Sequence, residues 1–326
     1  MAKVSILVAV YNGEPTLKRC LDSLIAQTHV DIEVLCVDDC STDASVSVLE
    51  DYSHRDDRIK VFRQSENKGQ AVARNRGLAE ASGEYVCFLD CDDRLSADAL
   101  ESAVSVFERH SSTDCVLLKV KMVDGTAEKD YPMTHFEVMT GYEAFLASLT
   151  WEIHGCYVTR AALHKQYPYD DTCRSYSDDN TTRIHYYHSR EVRCCEGIYY
   201  YYKNELSVTH KPSVRRFDYL KANESMKRQL ISFGVDEEVM KIYERVRWLV
   251  VVDTYMFYFL NRNKLSVEDA TFGLNEIRRV WTTIETDKIE PSLKKKFGYM
   301  PLRFSWKMFR LQEEIYFTLK KLIGRI

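Results

Sequence analysis

The sequence predicts an α/β protein in two parts: a Rossmann-like, mostly parallel sheet flanked by helices over residues 1–211, then a helical region over 212–326. Three observations carry this. From Val4 to Val120, short runs rich in β-branched residues alternate with stretches of helical periodicity, the order that builds a parallel sheet. Acidic residues recur just past the ends of those strands, where open α/β sheets place their ligands. After Pro212 the strand signals stop and long helical patterns take over.

The elements follow in order. Val4–Val10 (VSILVAV) reads as a first strand, Thr16–Gln27 as a helix with Leu17, Leu21, Leu24 and Ile25 at helical spacing, and Glu33–Val37 as a second strand. Next come a helix over Asp43–Tyr52, a strand over Ile59–Arg63, a helix over Gly69–Ala81 and a strand over Tyr85–Leu89. A helix over Ala97–Arg109 and a strand over Asp114–Val120 complete the regular part. Residues 130–210 are less regular and rich in Tyr, His and Asp, as an acceptor-binding half would be. Beyond Pro212 the pattern predicts helices at Phe217–Phe233, Glu237–Leu260 and Val267–Thr286, with no internal repeat.

Composition narrows the function classes. With 45% hydrophobic and 29% charged residues, the 326-residue chain resembles an ordinary soluble protein. The opening Met1–Tyr11 is too short and too soon polar for a signal peptide. The run Trp248–Leu260 is broken by Asp253 and falls short of the roughly 20 residues a spanning helix needs. A cytoplasmic protein without a transmembrane segment is therefore expected. The ten cysteines form no CxxC pair, and Cys36, Cys87 and Cys115 sit in strand-like runs, so reduced core residues are expected over metal ligands. The net charge of −4 hides an asymmetry: from residue 294 onward nine Lys or Arg face two Glu, a local +7, leaving −11 elsewhere. The acidic part argues against a nucleic-acid partner.

Two strand ends carry the chemistry. The second runs into Val37-Asp38-Asp39-Cys40-Ser41-Thr42-Asp43, where an acid can accept a hydrogen bond from the imide of a uracil ring, or can equally serve as turn and cap. The fourth runs into Asp90-Cys91-Asp92-Asp93. Three carboxylates within four residues at the end of a buried strand repel one another unless a cation offsets them. Carboxylates completed by substrate phosphate oxygens are the coordination set preferred by Mg²⁺ and Mn²⁺.

With these blocks in place, residues 1 to about 210 resemble glycosyltransferase family 2, with its A-type (GT-A) nucleotide-sugar fold. The resemblance rests on an ordered series: VSILVAVYNGE (4–14), LDSLIAQT (21–28), VDDCSTD (37–43), NKGQAVARNRGLAEASGEYVCFLDCDD (67–93), HGCYVTRAAL (154–163), SDDNTTRIHYY (177–187) and IYYYYKNELSVTH (198–210). It implies an inverting transferase that takes a nucleotide-diphosphate sugar, with a uridine donor expected, and passes the sugar to a hydroxyl of a saccharide or lipid-linked acceptor. The cofactor implied is Mn²⁺ or Mg²⁺.

The resemblance also assigns residues. Val10, Tyr11 and Glu14 would line the nucleoside pocket, Asp39 would read the base, and Lys68 and Arg74 would lie near base and phosphates. Asp90 and Asp92 form the DxD motif around Cys91, with Asp92 the more direct metal ligand and Asp93 supporting it. Lys203, Ser207 and Thr209 would clamp the diphosphate, and His210 is a further candidate ligand, weighed against a merely solvated imidazole. Ala9 stands where the family often has Pro, and Cys40 where Gly is common, which predicts altered pocket detail with binding retained.

Inversion needs a base opposite the leaving group. Asp178 and Asp179 follow Ser177, an expected N-cap, at a helix start. The family usually has Glu-Asp here with the second acid as base, which maps to Asp179, leaving Asp178 to bind acceptor hydroxyls. His154 and Trp151 are expected to border the acceptor site or to pack in the core.

The tail places Phe304, Met308, Leu311, Ile315, Leu319, Leu322 and Ile326 on one helical stripe, with Arg303, Lys307, Arg310, Lys321 and Arg325 on neighbouring faces. Such a stripe can meet the inner face of a membrane, its own domain or a second subunit of a homo-oligomer. Two rivals are weaker. A dinucleotide-binding Rossmann enzyme needs GxGxxG after the first strand, and Tyr11-Asn12-Gly13-Glu14-Pro15 offers one glycine. A non-enzymatic nucleotide-sugar scaffold predicts loss of a metal or base carboxylate, and both are present.

Overall fold

The computed structural model describes residues 2–133, 135–203 and 212–325. The chain forms two compact units: Met1–Arg174 with Asp178–Asn204, and Ser175–Ser177 with Glu205–Ile326. The expected division at 211/212 lies beside the stretch 204–211, outside the described residues.

The first unit contains strands β1 (Val4–Val10), β2 (Ile32–Asp38), β3 (Ile59–Arg63), β4 (Tyr85–Phe88), β5 (Arg94–Leu95), β6 (Thr113–Asp124), β7 (Ala127–Asp130), β8 (Val138–Thr140), β9 (Tyr157–Arg160) and β10 (Glu191–Tyr202). Its helices are α1 (Glu14–Ile25), α2 (Ser45–Arg55), α3 (Gln70–Glu80), α4 (Ala99–Arg109), α5 (Gly141–Leu149), α6 (Ala161–Gln166) and α7 (Asp178–His188). The strands form one sheet in the order β3-β2-β1-β4-β9-β6-β10-β5, with β7 on β6 and β8 on β10.

The β-branched runs become strands because both sheet faces are covered: β1 and β2 are buried almost throughout. On α1, Leu17, Cys20, Leu21 and Leu24 turn to the sheet at the predicted spacing, and Pro15 sits in the first turn, where its missing N–H costs nothing. The parallel expectation holds from β3 to β4. Beyond β4 it needs correction: β9 is antiparallel to both β4 and β6, and β5, β7 and β8 also pair antiparallel, so the sheet is mixed. The cause is the irregular stretch after residue 124, which turns back as a β6–β7 hairpin. It then enters α5 through a Thr140–Glu143 capping box. All ten cysteines are free, and six of them are buried.

The second unit contains a short 3-10 turn (Val214–Phe217) and helices α8 (Asp218–Phe233), α9 (Glu237–Asn261), α10 (Val267–Thr282), α11 (Pro291–Lys294) and α12 (Trp306–Leu322). Its core gathers Trp248, Tyr255, Trp281, Phe309 and Phe317. Inside it, Glu244 receives Arg247 and Lys227, a buried ion cluster that Glu285 extends. No helix of the described residues is long and apolar enough to cross a membrane.

Candidate active site

The carboxyl ends of β1, β2 and β4 bring three loops together. The first two are latched by side chains. Asn12 N–H donates to Ser41 Oγ (2.9 Å), Thr42 N–H to Asn12 Oδ1 (2.8 Å), Gly13 N–H to Ser45 Oγ (2.8 Å) and Ala44 N–H to Glu14 Oε2 (3.1 Å). Asn12 and Cys40 adopt left-handed backbone with φ of 52° and 63°, which gives the loops their sharp turns. Glu14 therefore joins two loops, and Tyr11 stands exposed at their edge.

Asp39 is buried, and its backbone N–H donates to the Val10 carbonyl (2.7 Å). Its carboxylate accepts from Gln64 Nε2, Lys68 N–H and Gly69 N–H, each at 2.8 Å. The residue expected to read a base thus also shapes the loop that would enclose it. Gly69 sits at φ +96°, and a Cβ there would lie 3.2 Å from the Arg174 backbone, so the close approach requires glycine. Lys68 contributes its backbone to Asp39 while its ammonium pairs with Glu66 (3.2 Å).

Arg74, on α3, is the hub. Its Nη2 donates to Asp90 Oδ1 (2.6 Å) and its Nη1 to Asp178 Oδ2 (3.2 Å). The guanidinium lies 4.1 Å from the Phe88 ring centroid and 5.2 Å from that of Tyr169. Gln70 Nε2 adds a second bond to Asp90 Oδ1 (2.7 Å). Burial raises the Asp90 carboxyl despite Arg74, with Asp92 and Asp178 adding to the rise. Asp93 is fully inside: Tyr199 Oη donates to its Oδ2 (2.7 Å), Tyr202 N–H to its Oδ1 (2.7 Å), and burial pushes its carboxyl up to about 8. Cys91 offers its carbonyl to Thr16 Oγ1 (3.0 Å), and burial pushes its thiol up.

Among the described residues no three His, Cys, Asp or Glu side chains converge into a metal cage. Asp90 and Asp92 are the carboxylates that could hold Mg²⁺ or Mn²⁺, which typically take one or two from protein when substrate phosphates supply the rest.

On α7, Asp178 is tied to Arg74 and Asp179 is half-buried. Burial, with Asp178 beside it, pushes the Asp179 carboxyl up to about 7 against the pull of Arg183 and Arg74. That value suits a general base at neutral pH. Arg183, one turn on, is buried with its guanidinium 4.9 Å from the Trp151 ring centroid, and its Nε and Nη2 have no hydrogen-bond partner among the described residues.

His154, expected either at the border of the acceptor site or in the core, is packed inside the unit, edge-on to Tyr131, and burial pushes its pKa down to about 4. Lys203, expected to clamp the diphosphate, pairs with Asp124 (2.9 Å). Ser207, Thr209 and His210 lie outside the described residues. The sequence reading did not find Gln70, Phe88, Tyr169, Arg183 or Tyr199. Tyr199 had a signal, since the run Tyr199–Tyr202 alternates faces along a strand and must send some rings inward.

A sheet flanked by helices, with acidic loops at the carboxyl ends of its parallel strands, has the architecture of the GT-A nucleotide-sugar folds. Residues 5–168, half of the chain, match Glycosyl transferase family 2, and the chain belongs to that family. It is 46% identical over 98 residues to the putative glycosyltransferase EpsH of Bacillus subtilis, covering 30% of this chain and 28% of EpsH. It is 29% identical over 219 residues to the poly(ribitol-phosphate) β-N-acetylglucosaminyltransferase TarS of Staphylococcus aureus, covering 65% of this chain and 37% of TarS. The matches thus span well under half of either relative's length. The crystal structure of S. aureus TarS 1-349 with UDP-GlcNAc aligns with a TM-score of 0.73 at 22% identity, over 97% of this chain and 91% of that one. At that identity the likeness establishes the fold.

Proposed function

We propose that this protein works in the cytoplasm as a metal-dependent, inverting glycosyltransferase. It moves a hexosyl or N-acetylhexosaminyl group from a uridine-diphosphate sugar to a hydroxyl of a saccharide or lipid-linked acceptor in surface-polysaccharide synthesis. The carrying observation is the Arg74 bridge, which ties the DxD residue Asp90 to Asp178, the neighbour of Asp179. The donor reading is supported by the fold likeness to a protein solved with UDP-GlcNAc.

In this reading the latched loops around Tyr11, Glu14 and Asp39 hold the nucleoside. Asp90 and Asp92 would hold Mn²⁺ or Mg²⁺, which when bound would supply positive charge to offset the negative charge growing on the departing diphosphate. Asp179 takes the proton of the acceptor hydroxyl as that oxygen attacks the anomeric carbon from the face opposite the leaving group. Asp178, held by Arg74, orients acceptor hydroxyls.

The test is calorimetric titration of the protein with uridine diphosphate, with Mn²⁺ and with chelator, for wild type and Asp92→Ala. Binding that requires both the metal and Asp92 supports the reading. Metal-independent binding without any transfer from a panel of nucleotide sugars would assign a binding scaffold instead.

A further inference from the structure

The carboxyl-terminal helix carries two apolar faces. Phe309, Gln312, Glu313 and Phe317 turn inward, with Phe309 stacked on Trp306 and tilted against Trp248 and Trp281. The stripe anticipated from the sequence is the other one. Met308, Leu311, Ile315, Leu319 and Leu322 run down the outward side of α12, and Phe304 and Ile323 extend it at the two ends. All seven are 44% to 77% exposed. Packing on the unit's own core is therefore already met by the opposite face and does not explain this stripe. An exposed apolar ridge of this extent marks an interaction surface.

The charge around it is one-sided. Lys295, Lys296, Arg303, Lys307, Lys321 and Arg325 are exposed on the same segment. Its two acids are both withdrawn: Glu313 is buried, and Glu314 is bound to Arg262 and Tyr255. The exposed charged side chains of residues 294–325 are thus cationic around an apolar ridge, with the partly exposed Glu314 neutralised by Arg262. A second copy would bring like charge against like charge, whereas an anionic lipid surface complements both features.

We propose that the outward face of α12 docks this protein on an anionic phospholipid bilayer. The helix lies flat, with the Met308-to-Leu322 ridge inserted at the headgroup boundary and Lys307 and Lys321 at the phosphates. This stands apart from the donor-site reading, since the ridge contains none of the residues assigned to nucleotide or metal.

The test is co-sedimentation of the full chain with phosphatidylglycerol-containing vesicles and with pure phosphatidylcholine vesicles, at low and high salt. At low salt we expect at least about tenfold preference for the anionic vesicles, weakening as salt rises. Leu311→Ser with Leu319→Ser should abolish binding, and Lys307→Glu with Lys321→Glu should remove the preference. These positions are exposed, so thermal unfolding and uridine diphosphate titration should match wild type and keep the two readings separable. Absence of vesicle binding, or equal binding to both lipids, overturns the proposal. Should sedimentation velocity instead show an oligomer that the paired Ser changes dissociate, the ridge belongs to a second copy.

Discussion

Arg74 and Asp178 stand 104 positions apart in the chain, yet Nη1 of one donates to Oδ2 of the other across 3.2 Å. The same guanidinium binds Asp90 (2.6 Å), so a single buried cation sets the spacing between the DxD loop and the helix that carries Asp179.

Arg74→Ala should therefore act on both stability and binding. Removing one member of a buried ion cluster leaves the carboxylates without compensation, a cost of about 3 kcal/mol. A lowered denaturant midpoint together with lost uridine diphosphate binding is expected. Arg74→Lys should be milder in stability but still impaired in binding, since an ammonium cannot hold two carboxylates in the fork geometry.

The Asp179 carboxyl at about 7 predicts the pH profile of transfer. A base must be deprotonated to act, so kcat/KM should rise with pH and level off above about 7. Arg183→Gln removes a cation that pulls this value down, and should move the rise to higher pH. Asp179→Asn should abolish transfer while uridine diphosphate still binds. An unchanged profile in Arg183→Gln would detach Arg183 from the base.

Cys40 occupies left-handed backbone at φ 63°. The conformation costs a non-glycine residue roughly 1–2 kcal/mol, of which glycine's greater freedom when unfolded returns part. Cys40→Gly should raise stability by about 0.5–1 kcal/mol and leave nucleotide binding intact, as read by chemical denaturation and calorimetry.

Glu313 supplies a pH effect in the helical unit. Burial pushes its carboxyl from 4.5 up to about 8, so the folded state holds a proton that the unfolded chain releases near 4.5. Its stabilising contribution is complete below about 4.5 and is lost as pH rises toward and through about 8. Glu313→Gln should remove that slope, so the thermal midpoint of the variant should exceed wild type at pH 9 by more than at pH 6.

Much of the secondary structure in both units was legible because its signals are local. Val4–Val10 and Ile59–Arg63 in the first unit and the helix that ends at Phe233 in the second match the predicted ranges to within a residue, since these signals are written in consecutive side chains. Asp90 and Asp92 stood out as candidates because three acids at a strand end repel one another. The antiparallel β9 and the role of Tyr199 were not, because neither strand direction nor the destination of a hydroxyl is encoded within a short window.

By itself the sequence determined the order of strands and helices up to Val120 apart from the two-residue β5, the acidic loops at their ends and, through the ordered blocks, the family. Only the tertiary structure decided that Arg74 links Asp90 to Asp178, that Asp39 spends hydrogen bonds on its own loop, and which face of α12 remains uncovered. The reason is physical. Secondary structure follows from the spacing of apolar residues along the chain, whereas ion pairing and burial depend on which distant segment arrives opposite. For α12, the aromatic core of Trp248, Tyr255 and Trp281 took the Phe309–Phe317 face and left the leucine ridge outside.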